Sequence, residues 1–203
     1  GKAFCAGADF SSSGKALFDP DSADNAIGLY QNAIRLFECK KPIVGAIQGA
    51  AIGGGLGLAL VPDFRVVAPE ARFAANFVRL GVHAGFGISY VLPRIISQQN
   101  ANLLLLTGRR INGEQAYQWG LADQLSDAAS VRQDAIALAA EIAECAPLAV
   151  ESTRATLRAG LVKALKEQVK HEFAEQVRLA KTDDHAEGTR AVTERRLGEF
   201  KRS

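Results

Sequence analysis

Residues 53–55 are consecutive glycines, Gly53-Gly54-Gly55, set between a short β-rich run and the small apolar segment Leu56-Gly57-Leu58-Ala59-Leu60. Backbone this bare suits a tight strand-to-helix turn, whose first helical N–H groups have no acceptor within the helix. Ile43 to Ile47 supplies the strand, and Pro42 closes the helix before it. Two uses of such a turn compete: cradling a pyrophosphate, or aiming a free N–H, aided by the helix dipole, at a developing negative oxygen. The first does not fit. The spacing is not GxGxxG, positions 74 to 76 read Ala-Ala-Asn where an acidic residue should stand about twenty residues on, and no Gly-Lys-Ser/Thr follows. The second use requires another donor from elsewhere in the chain.

Around this turn the periodicity alternates. Asn25 to Cys39 carries apolar residues at Ile27, Tyr30, Ala33, Ile34 and Phe37, one face of a helix. Lys2 to Cys5 reads as a strand entering Ala6-Gly7-Ala8-Asp9, with the loop Ser11-Ser12-Ser13-Gly14 beyond; Phe64 to Ala68 and Arg72 to Ala75 read as further strands. Strands alternating with helices build parallel sheets through right-handed crossovers. From Val131 onward the pattern is helical, over Val131 to Cys145, Leu148 to Leu161, Val162 to Leu179 and a charged last helix from Ala186 to Glu199. The expectation is an α/β core over residues 1–145 and a helical region over 146–203.

At 203 residues and 48% hydrophobic, the chain can bury one sizeable core. Its 24 basic and 22 acidic residues are dispersed, leaving a net charge of +2 and no footprint for nucleic acid or membrane lipid. Cys5, Cys39 and Cys145 are odd in number, widely spaced and without CxxC, which argues against a disulfide framework and a zinc site and for reduced thiols in the cytoplasm. The apolar run from Ile43 to Pro62 is rich in glycine and carries Gln48, a poor membrane span. The sequence contains no methionine and opens on a strand, so the chain is expected to begin inside a longer protein.

The second donor is suggested by a resemblance. Phe4-Cys5-Ala6-Gly7-Ala8-Asp9 is similar to the F-x-A-G-x-D segment of crotonases, the enoyl-CoA hydratase/isomerase superfamily, and Ile52 to Ala59 to their x-G-G-G-x-x-L-A segment. The match continues through Asp63 to Ala68, Phe73, Gly81, Gly85 and Gly87, Leu106-Thr107-Gly108, Ala116, Gly120 to Asp123 and Glu187-Gly188. It implies a crotonase-like spiral of ββα units with a C-terminal helical region, assembled as trimers or dimers of trimers. It implies an acyl-CoA substrate, no separate cofactor and no metal. By the resemblance, the N–H groups of Ala8 and Gly54 form an oxyanion hole, Gly53 belongs to the same turn, and backbone around Ala6 and Phe10 lines the adenine pocket. Ser11 stands where a basic residue often meets the CoA phosphates.

The departures are as informative. Both glutamates of the hydratases are replaced, by Gly57 and Phe77, and the aspartate of dienoyl isomerases by Gly85. None of these can move a proton, so two-carboxylate hydration loses its acid and base. His83, in the turn Gly81 to Gly87, is the candidate proton carrier, against a structural histidine in a glycine turn. Asn76, Phe77 and Gly57 are expected beside the acyl group, whereas Arg79 and Tyr90 pack and solvate. His171 and His185 are expected in solvent, Asp9 and Asp63 as turn-binding residues, and Trp119 as packing. The reading is an acyl-CoA enzyme with an enolate-like or tetrahedral oxyanion; thioester hydrolysis, decarboxylation, C–C cleavage or non-catalytic acyl-CoA binding remain as alternatives.

Overall fold

The computed structural model describes residues 1–8, 17–22 and 25–203. The chain runs through β1 (Ala3–Cys5), α1 (Ala26–Phe37), β2 (Val44–Ile47), β3 (Ala50–Ile52), α2 (Gly54–Ala59), β4 (Phe64–Val67) and β5 (Arg72–Ala74). A 3-10 turn (Asn76–Leu80), α3 (Ile88–Ile95), α4 (Gln98–Thr107), β6 (Arg110–Asn112), α5 (Gly113–Gln118) and β7 (Gln124–Leu125) follow. The C-terminal helices are α6 (Val131–Ala143), α7 (Pro147–Leu157), α8 (Leu161–Leu179) and α9 (Asp183–Thr193).

Consecutive strands feed different sheets. One sheet has the order β1-β3-β5-β6 and the other β2-β4-β7, so β2 and β3 each join a separate layer before α2, and β4 and β5 repeat the step. This is the ββα spiral expected from the resemblance. Pairing is parallel between β1 and β3, β3 and β5, β2 and β4, and β4 and β7. The fourth strand of the first sheet departs from the expectation, because β6 runs antiparallel to β5, with Ile111 opposite Phe73. A three-residue strand with one buried position, Ile111, carries no readable period, and neither β6 nor β7 is legible in the sequence.

The core lies between the sheets and the helices, with Ile47, Leu56, Phe73, Ile88 and Leu104 fully buried. Asp63 knots the C-terminal region to it. Its carboxylate accepts the Ile43 N–H at 2.9 Å and pairs with Arg154 and Arg158 of the α7 region at 2.9 and 3.0 Å. That confirms the turn-binding expectation for Asp63 and extends it to a link between distant segments. Helix α8 packs along α1 and α9 along the 3-10 turn. Phe173 and Leu179 pack partly buried against the core. Leu148 and Leu157 of α7 are 80% and 82% exposed. The last helix ends at Thr193 and not at Glu199: Glu187 draws the chain back, pairing with Arg190 and Arg196 and accepting the Glu199 N–H at 3.0 Å. Among the described residues no helix is long and apolar enough to cross a membrane.

Candidate functional site

The sheet order places the ends of β1 and β3 side by side, and each end turns on a glycine. Gly7 has φ +83°, open to glycine and strained for other residues, and a Cβ there would lie 2.7 Å from the Ile52 carbonyl oxygen and 3.8 Å from the Gly54 nitrogen. The turn carrying Ala8 therefore abuts the turn carrying Gly54. Gly53, at φ +56°, ends β3 by donating its N–H to the Ala74 carbonyl at 2.9 Å, while its own carbonyl accepts from Leu56 and Gly57. Gly54 is then the first helical residue of α2, where backbone N–H groups lack intrahelical acceptors. Neither the Ala8 nor the Gly54 N–H has an acceptor among the described residues.

A cavity of about 750 Å³ opens over these turns. Ala6, Ala8, Gly53, Gly54, Asn76 and Phe77 all line it, so six of the site residues expected from sequence converge. The Asn76 Oδ1 would sit 3.4 Å from a Cβ on Gly53, which places its carboxamide beside the glycine turn, and the Phe77 ring edge would sit 3.9 Å away. Phe10, like Asp9, lies outside the described residues.

Two expected residues are not on the wall. Gly57 is covered: a Cβ there would come within 2.5 Å of the Phe86 ring, and Phe86 lines the cavity in its stead. His83 is not among the residues that line the cavity. Its Nδ1 meets the Ala84 carbonyl at 2.7 Å and its ring packs edge-on against His171, with centroids 5.8 Å apart. His185, expected in solvent, is half-buried, with Nδ1 2.6 Å from the Leu80 carbonyl and an edge contact with Phe18.

The groups that sequence reasoning missed come from α1 and α8. Tyr30 lines the cavity and is 5% exposed. Its hydroxyl stands 3.2 Å from the Gln176 amide, whose Nε2 also donates to the His83 carbonyl at 3.0 Å, and burial holds the phenol well above its ordinary pKa. A Cβ at Gly85 would come within 2.6 Å of that Gln176 amide and collide with the Tyr30 hydroxyl, so glycine at 85 keeps the space open. One turn away, the buried Glu172 carboxylate accepts the Gly87 N–H at 2.6 Å, the Ser89 N–H at 3.2 Å and the Ser89 hydroxyl, capping α3. Burial pushes this carboxyl up to about 7, against the opposing pull of those donors. The signal that could have found it is spacing: Leu165, Val169, Glu172 and Gln176 form one buried stripe of α8.

A second cavity, of about 770 Å³, is lined by Asp63, Arg154, Arg158 and residues of α7. Size does not select between the two, but Asp63 there is consumed by its own arginines, whereas the first cavity holds the free amides. Among the described residues no cluster of histidine, cysteine and carboxylate side chains could hold a metal ion.

Comparison with known proteins gives the family and the fold. The family model for enoyl-CoA hydratase/isomerase matches residues 1–203. A probable enoyl-CoA hydratase of Mycobacterium tuberculosis is 37% identical over 179 residues, covering 88% of this chain and 69% of that protein. Carnitinyl-CoA dehydratase of Proteus mirabilis is 33% identical over 202 residues, covering 98% of this chain and 77% of that one. Among solved structures, a carnitinyl-CoA hydratase from Mycobacterium avium superposes with a TM-score of 0.86 at 29% identity, covering 100% of this chain and 78% of that chain. An enoyl-CoA hydratase/isomerase from Pseudoalteromonas atlantica gives 0.85 at 27%, with 99% and 78% covered.

Proposed function

The chain belongs to the enoyl-CoA hydratase/isomerase family, and from that premise we propose that it is an enzyme acting on an acyl-CoA thioester. In this reading the thioester oxygen accepts hydrogen bonds from the Ala8 and Gly54 N–H groups. The observation that carries the proposal is the contact of the two turns, with the Gly7 Cβ position 3.8 Å from the Gly54 nitrogen and both amides without an acceptor among the described residues. Preorganised donors of this kind act where negative charge develops, and each contributes roughly 3 to 4 kcal/mol to the transition state. The CoA portion runs past Ala6 and the acyl group past Asn76 and Phe77.

The reaction favoured is one that forms an enolate-like or tetrahedral oxyanion without adding water across a double bond. Phe86 over Gly57 and Phe77 on the wall put aromatic rings where hydration needs carboxylates. Among the described residues that line the cavity, the buried hydroxyl of Tyr30 is the proton carrier. Kept protonated by burial, it delivers a proton to the α carbon of the enolate and leaves a phenolate that the Gln176 Nε2 can donate to. Decarboxylation and C–C cleavage both need that step. The exposed Leu148 and Leu157 support assembly through α7 into trimers or pairs of trimers, and free Cys5, Cys39 and Cys145 suit a reducing cytoplasm.

Turnover of a panel of acyl-CoA esters tests the reading. Gly54→Pro removes the N–H at a first helical position that accepts proline, while Gly54→Ala retains it, with no atom within 4 Å of the added Cβ. The expected result is a loss of at least about 100-fold in kcat/KM for the proline variant alone. Rapid hydration of crotonyl-CoA by the unaltered protein would contradict the reading of Gly57 and Phe77.

A further inference from the structure

The wall of the site cavity is formed almost wholly by glycine, alanine, aliphatic and aromatic residues, and Arg110 is the only charged side chain lining it among the described residues. Arg110 begins β6, where strand alternation turns its side chain away from the core face that Ile111 fills at 2% exposure. The guanidinium has no hydrogen-bond or ion-pair partner among the described residues. It is exposed, and so keeps its hydration until a ligand replaces it.

Its place in the sheet gives it a direction. In the order β1-β3-β5-β6 the free amides sit past the ends of β1 and β3, and Asn76 sits past the end of β5. Ile52 pairs with Ala74, and Ala74 with Arg110, so Arg110 stands two strand spacings, about 10 Å, beyond the strand that leads into Gly54. In the thioester reading, on which this inference rests, the CoA portion lies over Ala6 at the β1 side. A ligand that passes from β1 across the amides toward β6 therefore brings the far end of its acyl group, and not its CoA phosphates, to Arg110.

We propose that the acyl group carries a carboxylate at its far end and that Arg110 binds it, which makes the substrate a mono-CoA ester of a dicarboxylic acid. The planar guanidinium fork matches a carboxylate with two parallel N–H···O bonds, and a wall this apolar gives the pair little competition from other protein groups. The same fork would accept a CoA phosphate, so the experiment separates the two sources.

Isothermal titration of adipyl-CoA and hexanoyl-CoA compares esters of equal chain length that differ in the terminal carboxylate. The unaltered protein is expected to bind adipyl-CoA at least about tenfold more tightly, Arg110→Gln to abolish that preference with hexanoyl-CoA affinity unchanged, and Arg110→Lys to retain part of it. Equal affinity of the unaltered protein for both esters would overturn the proposal, as would an equal loss for both esters in Arg110→Gln, which assigns the guanidinium to a CoA phosphate. Binding of neither ester would bring down the thioester reading and the Arg110 assignment with it. The near-ultraviolet circular dichroism and Tm of both variants should match the unaltered protein, since Arg110 is exposed and has no partner among the described residues.

Discussion

The ring of Phe86 lies over Gly57, filling the volume that a side chain at 57 would need, and a Cβ there would stand 2.5 Å from ring carbons. Phe86 holds this position at φ +65°, a conformation that costs an aromatic residue about 1 to 2 kcal/mol. The position that the resemblance gives to a hydratase glutamate is thus covered by a ring. Gly57→Ala should destabilise the fold by about 1 to 3 kcal/mol through overpacking, and Gly57→Ala combined with Phe86→Gly, itself destabilising because Phe86 is buried, should cost less than the sum of the two single changes. Urea unfolding of the two single variants and the double variant measures the coupling.

Glu172 makes stability depend on pH. Its carboxyl is raised from 4.5 to about 7, chiefly by burial, so the folded state binds the proton more tightly than the unfolded chain. The stabilisation is fully present below about 4.5 and is lost as pH rises through about 7, a difference on the order of 3 kcal/mol. Unfolding free energies at about pH 5 and about pH 8 should show this fall in the unaltered protein and a smaller one in Glu172→Gln. A Glu172→Gln variant with the same pH slope as the parent would rule out the assignment.

Tyr30→Phe removes one oxygen from a residue that touches the cavity and leaves its edge contact with Phe86. Turnover should drop roughly 100-fold or more while the affinity for CoA esters stays within about twofold. Because burial raises the phenol well above its ordinary pKa, the parent should show no loss of kcat from tyrosine ionisation as far as about pH 9. Equal loss of binding and turnover would make Tyr30 a packing residue.

Asp63→Asn should be strongly destabilising. It removes the charge shared by Arg154 and Arg158, whose Nη2 and Nη1 are already buried without a partner among the described residues. Breaking one side of a buried ion pair typically costs about 3 to 5 kcal/mol. Thermal unfolding would show it, and a change of less than about 1 kcal/mol would contradict the account of how α7 is tied to the core.

Where periodicity or backbone geometry carries the signal, the sequence was sufficient. The glycine triplet marks the turn at Gly53, the apolar spacing from Ile27 to Phe37 marks α1, and the F-x-A-G-x-D resemblance marks the Gly7 turn that abuts Gly54. Long-range partners left no such trace. Nothing local in Tyr30 distinguishes a cavity hydroxyl from a helix-face aromatic, because its partner Gln176 is 146 residues away. Proximity along the chain to a cavity-lining segment likewise does not fix where the His83 ring packs, because its His171 contact comes from α8. Arg110 was invisible because β6 is too short to show alternation.

The most direct test is a crystal structure with hexanoyl-CoA bound. The thioester oxygen is expected within about 3 Å of both the Ala8 and Gly54 nitrogens, with the acyl chain directed toward β6. A thioester oxygen bonded to other groups, with either amide facing away from it, would contradict the account.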